Sequence, residues 1–249
     1  MEPPELLRAI RREGEAMAAA ADGHLDRPVP SCPGWDVARV VDHVGRIHRW
    51  VAAMVEAGAT ERPPFPPRSA EVGAAWLRYG VSALVATLEA AGPDAPVWNF
   101  RVDRDGLRGA AGPGTARFWF RRQAVETAVH RWDVELAATG TPGPIEGELG
   151  VTGVDEVLDV LVADRPVTAP GSVHLHATDT ERGEWTVRAD DDGPGLVVGH
   201  GHAKGDAAVR GAAGDLLLWL WGRSVPAGRL EAFGDEAVLA AWSPALVPG

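Results

Sequence analysis

The spacing of apolar residues predicts two helices in the first 60 residues. Pro3 and Pro4 suit an opening helical turn, and apolar residues recur every three or four positions from there to Ala21. A stronger amphipathic pattern follows the turn at Cys32-Pro33-Gly34, with Asp36 placed to cap the helix. The apolar stripe of this second helix consists of Val37, Val40, Val41, Val44, Ile47, Val51 and Met54.

A third and a fourth helix flank a long irregular segment. A proline-rich link at Pro63–Pro67 leads to the third helix, which we expect to run from a cap at Ser69 to about Ala91. Residues 92–113 are rich in Gly, Pro, Asp and Arg and predict a long loop, a kind of segment that is often functional. The fourth helix is predicted at 115–139 and stops at Gly140. The first part of the chain is therefore predicted to be a four-helix bundle.

The pattern changes after Pro142 and Pro144, which mark a domain boundary. We assign residues 1–145 to the bundle and residues 146–249 to a smaller domain, so that the fold class is α+β. A helix at about 149–163 bridges the two parts, and alternating residues then predict a hairpin. The predicted strands cover Ser172–Ala177, Glu184–Arg188, Leu196–Val198 and Ala207–Val209, with helices at Ala213–Gly222 and Glu236–Trp242.

Composition narrows the compartment and the class of partner. With one cysteine, Cys32, and no leader-like start or apolar run of the roughly 20 residues that span a bilayer, we expect a cytoplasmic protein without a membrane partner. The formal charge of -11 argues against nucleic acid as a partner. Lys204 is the only lysine, a bias towards arginine that suggests high-GC coding and an actinobacterial source.

Histidine and glutamate residues on the second and fourth helices are candidate metal ligands. Glu126 and His130 are four residues apart, so they share a helix face, beside an apolar stripe at the expected edge of the core. The second helix offers His43, on the flank of its stripe, and His48, within the stripe. Periodicity does not choose between these two histidines, and each can also be read as a hydrogen-bonded core residue.

Two motifs resemble a known family. Residues 29–36, Val-Pro-Ser-Cys-Pro-Gly-Trp-Asp, followed by residues 42–45, Asp-His-Val-Gly, resemble the first motif of the mycothiol-dependent maleylpyruvate isomerase family, a part of the DinB-like superfamily. Residues 123–133, Gln-Ala-Val-Glu-Thr-Ala-Val-His-Arg-Trp-Asp, resemble its second motif, and residues 209–223 resemble its C-terminal domain. The resemblance implies a DinB-like metal-binding bundle in which His43, Glu126 and His130 hold the ion.

The resemblance also implies the chemistry. Two histidines and a carboxylate describe an open zinc site, with nickel or another divalent metal as the alternative. The implied cosubstrate is the low-molecular-weight thiol mycothiol, activated by the metal for transfer to, or isomerisation of, a small electrophile. Cys32 is then not required, and no general base is evident beside it. We expect Asp133 to orient a ligand histidine, and the chain to be a monomer or homodimer.

Several alternatives stay open from the sequence. Arg210 and Arg223 are predicted either to reach a cleft and bind a substrate carboxylate or to be solvated surface residues. A rival metal site is formed by two histidine pairs without a carboxylate motif, namely His174 with His176 and His200 with His202. The rival functions are a metal-binding protein for ligand binding or stress response without thiol chemistry, and a specialised biosynthetic enzyme on the same scaffold.

Overall fold

The chain packs into two units, Met1–Gly143 and Pro144–Gly249. The computed structural model describes residues 1–101, 114–191, 193 and 195–248, so most of the loop predicted at 92–113 lies outside the described residues. The domain boundary between residues 145 and 146 stays a prediction. Within the described ranges, none of the helices combines the length and apolar character needed to cross a membrane.

The described part of the first unit contains the four helices that the periodicity predicts. They are α1 (Pro3–Ala21), α2 (Val37–Glu56), α3 (Ala74–Ala91) and α4 (Ala116–Thr139). The carboxylate of Asp36 caps α2 by accepting a hydrogen bond from the backbone N–H of Arg39 at 2.8 Å. Gly140 ends α4 in the left-handed conformation, with φ of 74°, which a residue with a Cβ rarely adopts.

Helix α4 is buried on all sides through its central part. Every residue from Arg122 to Val134 is buried except His130, and α4 packs mainly against α1 and also against α2. On the face that carries the predicted pair, Glu126 is 8% exposed and His130 is half-buried. Polar and charged side chains are therefore enclosed in this part of α4 together with the apolar ones.

A buried arginine joins α4 to α1. The Arg131 guanidinium donates to Glu13 on α1 and to Glu135 one turn along α4, each at 2.8 Å, and also to the Gly143 carbonyl at 2.6 Å. Burial lowers the pKa of Arg131, but the charges of Glu13 and Glu135 outweigh this effect and raise the pKa above its ordinary value. The charge is thus held in the interior by two carboxylates.

The proline-rich link before α3 is fastened to α2. The buried carboxylate of Asp42 accepts the backbone N–H of Ser69 at 3.0 Å and the Arg46 guanidinium at 3.3 Å. Arg46 also donates to the Pro66 carbonyl, at 3.0 Å from Nε. Helix α3 begins only at Ala74, so the predicted start at Ser69 is wrong: the backbone of Ser69 is bound to α2 instead of opening a helix.

The second unit is a five-stranded sheet with helices, which confirms the α+β class. Its elements are α5 (Gly147–Glu156), a π-helical turn (Val157–Leu161), β1 (Ser172–Ala177), β2 (Glu184–Ala189), β3 (Leu196–His200), β4 (Ala207–Gly211), α6 (Ala213–Leu220), β5 (Leu230–Gly234) and α7 (Glu236–Ala245). The strand order is β3-β2-β1-β4-β5, and only the β1/β4 pair is parallel. Our prediction omits β5, an edge strand whose residues are mostly exposed and carry no apolar run.

Gly45 generates a test of the bundle packing. A Cβ at Gly45 would lie 2.1 Å from the ring of Trp76. The same ring also contacts Arg49, whose guanidinium carbon lies 3.9 Å from the ring centroid. We expect Gly45→Ala to lower the free energy of unfolding by about 1–3 kcal/mol, because α2 and the ring must move apart. Faster hydrogen exchange of α2 and α3 amides, followed by mass spectrometry, would report it.

The matched control for this prediction is Ala53→Gly on the exposed face of α2. That change alters helix propensity by about 1 kcal/mol without changing any close contact of Trp76. If Gly45→Ala stabilises the bundle, as helix propensity alone would give, the steric account of this position is wrong.

Candidate metal centre

Helices α2 and α4 bring three potential metal ligands together. His43 lies on α2, and Glu126 and His130 lie one turn apart on α4; one ligand atom from each can be chosen so that all are within 4.8 Å of one another. His43 Nε2 is 3.2 Å from Glu126 Oε1, and the two imidazole ring centroids are 5.3 Å apart. Ligand atoms on a tetrahedral zinc ion lie about 3.3 Å apart, given bonds of about 2.0–2.1 Å. The cluster therefore has the dimensions of a site for one ion.

The second oxygen of Glu126 is bound to a buried arginine. Arg122 lies one turn earlier on α4, and its guanidinium is 3.1 Å from Glu126 Oε2. Burial raises the pKa of Glu126, but the charge of Arg122, together with the hydrogen bond and charge of His43 and the charge of His130, outweighs burial and holds the pKa well below its ordinary value. Glu126 is therefore an ionised carboxylate near neutral pH.

Asp133 orients His130. Its fully buried carboxylate accepts a hydrogen bond from His130 Nδ1 at 2.9 Å and from the Ser31 hydroxyl at 2.6 Å. Because the carboxylate accepts, the ring hydrogen of His130 is on Nδ1, and the Nε2 lone pair is left for another ligand. This is the geometry of a histidine prepared by a carboxylate for metal binding.

Cys32 lies beside the same carboxylate. Its thiol donates to Asp133 Oδ2 at 3.7 Å, and Cys32, His130 and Asp133 each offer a ligand atom within 4.8 Å of the others. The expectation that no general base lies near Cys32 is therefore wrong. The sequence does not reveal this proximity, because the turn before α2 is about 100 residues from the end of α4 and only the tertiary fold joins them.

His48 belongs to the core. It is fully buried, and its Nε2 lies 2.9 Å from the hydroxyl of Thr127, which itself donates to the Gln123 carbonyl at 2.6 Å. Nε2 is therefore the protonated nitrogen, and among the described residues Nδ1 has no hydrogen-bond partner. Burial lowers the pKa of His48 to about 4, an effect that Glu126 partly opposes. Of the two histidines that periodicity left open, His43 is the one beside Glu126 and His130.

Three residues near the site were not predicted. Arg122 could have been found from its i,i+4 spacing to Glu126. Trp35, in the first motif, places its ring 5.2 Å from that of His43 and is covered by the Arg39 guanidinium at 4.6 Å. Gln123 is fully buried one turn before Glu126, and within the described part of the chain its amide makes no hydrogen bond. No sequence pattern marks this amide.

The two arginines predicted to bind substrate both lie in the second unit. Arg210 is on β4, where it is exposed and forms an ion pair with Glu231 at 3.6 Å. Arg223 follows α6, and its Nη1 donates to the backbone carbonyl of Trp221 at 2.7 Å. Their role in binding a carboxylate stays a prediction.

Comparison with known proteins gives the family context. Residues 6–135 match the family model described as the mycothiol maleylpyruvate isomerase N-terminal domain, and residues 148–241 match that of the MDMPI C-terminal domain. A crystal structure of a mycothiol-dependent maleylpyruvate isomerase aligns with a TM-score of 0.56 and 14% identity over 93% of both chains. A histidine-to-alanine mutant of such an enzyme aligns with a TM-score of 0.59 and 13% identity over 93% of both chains. At this identity the likeness shows the shared fold. A search of curated proteins finds no match.

The buried imidazole of His48 predicts a pH-dependent loss of stability. Its pKa is about 4 in the folded chain and about 6.5 when unfolded, so the unfolded chain binds the proton more readily between these values. The stability that the neutral imidazole of His48 contributes is present above pH 6.5 and is lost as the pH falls towards 4. We expect the metal-free chain to lose roughly 2–3 kcal/mol more than His48→Gln between about pH 7 and about pH 4.5.

Urea unfolding of both proteins in a chelating buffer measures this difference. The pKa of Glu126 is also lowered, so this residue lowers the stability at a pH below its ordinary pKa, which is more acidic than the range for His48. Because Glu126 is present in both proteins, its effect cancels in the comparison. Parallel pH profiles for the wild type and the variant would refute the assignment.

Proposed function

Because the chain belongs to the mycothiol maleylpyruvate isomerase family, we propose that it is an enzyme that binds one zinc ion in its bundle and uses mycothiol to isomerise a small unsaturated acid. The observation that carries the proposal is the convergence of His43, Glu126 and His130, with His130 oriented by Asp133. All of these residues lie within the range that matches the N-terminal family model.

The donor set fits zinc. Two imidazole nitrogens and one carboxylate oxygen are the three protein ligands of a catalytic zinc site, which keeps a further position for water or substrate. Glu126 is ionised, and His130 Nδ1 donates to Asp133, so Nε2 is the ring nitrogen left to bind the ion. Imidazole also suits nickel, so metal analysis of the purified chain distinguishes the two ions.

The neighbouring side chains maintain this arrangement. Bound zinc would lower the pKa of a coordinated thiol, so that the thiolate forms near neutral pH. Asp133 keeps the His130 ring fixed, and Ser31 in turn donates to the other oxygen of Asp133. Arg122 occupies Glu126 Oε2, which leaves Oε1 facing His43. These contacts reduce the side-chain movement that binding of the metal ion and the thiol would require.

Isomerisation of a conjugated cis alkene needs temporary loss of its double bond. The mycothiol sulfur would form a C–S bond to one alkene carbon while the π electrons move into the adjoining carbonyl group. Rotation about the resulting single bond and expulsion of the thiolate would return the trans alkene. The thiol is regenerated, so it is a cofactor in this reaction; in a transfer reaction it would be consumed. Arg210 and Arg223 remain our candidates for contacts to a substrate carboxylate.

Metal content tests the ligand assignment. We expect His43→Ala, Glu126→Ala and His130→Ala each to lose one zinc ion per chain relative to the wild type, measured by inductively coupled plasma mass spectrometry after dialysis. The matched control is His24→Ala, a histidine in the turn after α1, which should retain the wild-type content. Full metal retention in all three variants would remove the basis of the proposed site.

Asp133 provides a graded version of the same test. Asp133→Asn should weaken zinc binding by about 10- to 100-fold in a chelator competition, because a neutral amide oxygen is a weaker acceptor for His130 Nδ1 than the carboxylate is. Glu135→Gln is the control, since it removes a carboxylate of the same helix that contacts Arg131 instead of a histidine. Equal losses in the two variants would mean that the effect is on folding.

The fate of the thiol distinguishes isomerisation from transfer. With mycothiol and maleylpyruvate, we expect the cis acid to convert to the trans acid at constant thiol concentration, followed by absorbance and thiol titration. Cys32→Ser should keep most of this activity, because the cosubstrate brings the reactive sulfur. Thiol loss equal to product would instead indicate a transferase, and inactivity of Cys32→Ser would indicate a protein nucleophile.

Calorimetric titration of the chain with mycothiol tests the alternative function. If mycothiol does not bind in a zinc-dependent manner, the result favours a metal-binding protein without thiol chemistry.

A further inference from the structure

A second cluster of potential metal ligands lies on the sheet of the C-terminal unit. Glu184 Oε2 is 3.1 Å from His174 Nε2 and 2.7 Å from His202 Nδ1, and Glu184 Oε1 is 3.7 Å from His176 Nδ1. One ligand atom each from His174, Glu184 and His202 lies within 4.8 Å of the others. The rival site predicted from the sequence consists of histidines without a carboxylate. In the folded chain, Glu184 lies among these histidines and supplies one.

Strand register explains how these residues meet. His174 and His176 are two residues apart on β1 and therefore share one face of the sheet, while Val173 and Leu175 are buried on the other face. Glu184 is paired directly with His176 across the antiparallel β1/β2 ladder. His202 lies just beyond β3, the strand on the other side of β2.

The donor chemistry is that of a transition-metal site. Three imidazoles and one carboxylate are the ligand types that hold zinc, nickel and copper, and contacts of about 3 Å between donors match the separation of ligands around one such ion. Arg210, the β4 neighbour of His176 in the parallel ladder, forms an ion pair with Glu231 at 3.6 Å. Its charge is therefore partly compensated and is less repulsive to a cation.

The cluster is accessible from solvent. His174 is 7% exposed and anchors the cluster in the sheet, whereas the His202 side chain is 79% exposed. Glu184 and His202 also line a cavity of about 440 Å³, whose wall includes the carboxylate of Asp155 and the imidazole of His200. An ion can thus reach the donors from the side of His202 without unfolding the sheet.

We propose that His174, Glu184 and His202, with His176 as the fourth donor, form a second binding site for a divalent transition metal ion such as zinc. The site joins β1, β2 and the segment after β3, so an occupied site would fasten three adjoining strands together. Binding an ion to the folded chain stabilises it by mass action, and the effect here should be confined to this sheet. The proposal is independent of the bundle site and of its catalytic function.

Zinc stoichiometry tests the second site in the presence of the first. After dialysis against zinc, we expect Glu184→Gln and His202→Ala to bind one ion fewer than the wild type, or to bind it at least about tenfold more weakly. The control is His200→Ala, which removes a nearby histidine that faces Asp159 at 3.6 Å and should leave the stoichiometry unchanged. Wild-type zinc binding in both cluster variants would overturn the proposal.

A second background separates this proposal from the function of the bundle. In the triple variant His43→Ala, Glu126→Ala, His130→Ala, we expect one zinc ion still to bind and to protect the β1 and β2 amides from hydrogen exchange. Adding Glu184→Gln should abolish both the binding and the zinc-dependent protection. Glu184→Gln preserves size and His202 is exposed, so circular dichroism should show folded proteins. Failure of the triple variant to bind any zinc would refute the second site while leaving the first intact.

Discussion

The burial of α4 is the constraint on which the first unit depends. A helix enclosed from Arg122 to Val134 exposes almost no surface to water, yet it carries charged and polar side chains at many of these positions. An unpaired charge in the interior costs several kcal/mol, so each of the charged groups must find a partner within the bundle. Arg131 pairs with Glu13 on α1, and Thr127 accepts from His48 on α2. The polar contacts of α4 thus set how the neighbouring helices are placed around it.

The same constraint explains why the candidate ligands Glu126 and His130 have hydrogen-bond and ion-pair partners. Glu126 has a fixed partner for each oxygen, and His130 has a carboxylate that determines which nitrogen carries the hydrogen. These are the interactions that a buried polar group requires for stability, and they are also those that a metal ligand requires for orientation. Stability and the proposed function therefore make the same demands on this helix, in which His130 is the least buried of the central residues.

The sequence predicts the helices and strands better than it predicts the tertiary contacts between them. Amphipathic spacing locates the bundle helices and the Asp36 cap, because these depend on neighbours along the chain. It could not select His43 over His48, since the choice depends on which side of α2 meets α4; the family resemblance made that selection. The proximity of Cys32 to Asp133 and of Glu184 to three histidines also depends on contacts between distant segments. The burial of polar side chains on α4 likewise depends on the helices packed around it, which the sequence of α4 alone does not show.

The fastening of the proline-rich link to α2 has a consequence for protein engineering. Loops between helices are commonly exchanged between homologues or used to accept inserted peptides, on the assumption that they are passive connectors. Here the link is bound through Ser69 and Pro66 to Asp42 and Arg46, and Asp42 immediately precedes His43. A graft that displaced this segment would release the side chains around a proposed ligand without altering any residue of the site itself.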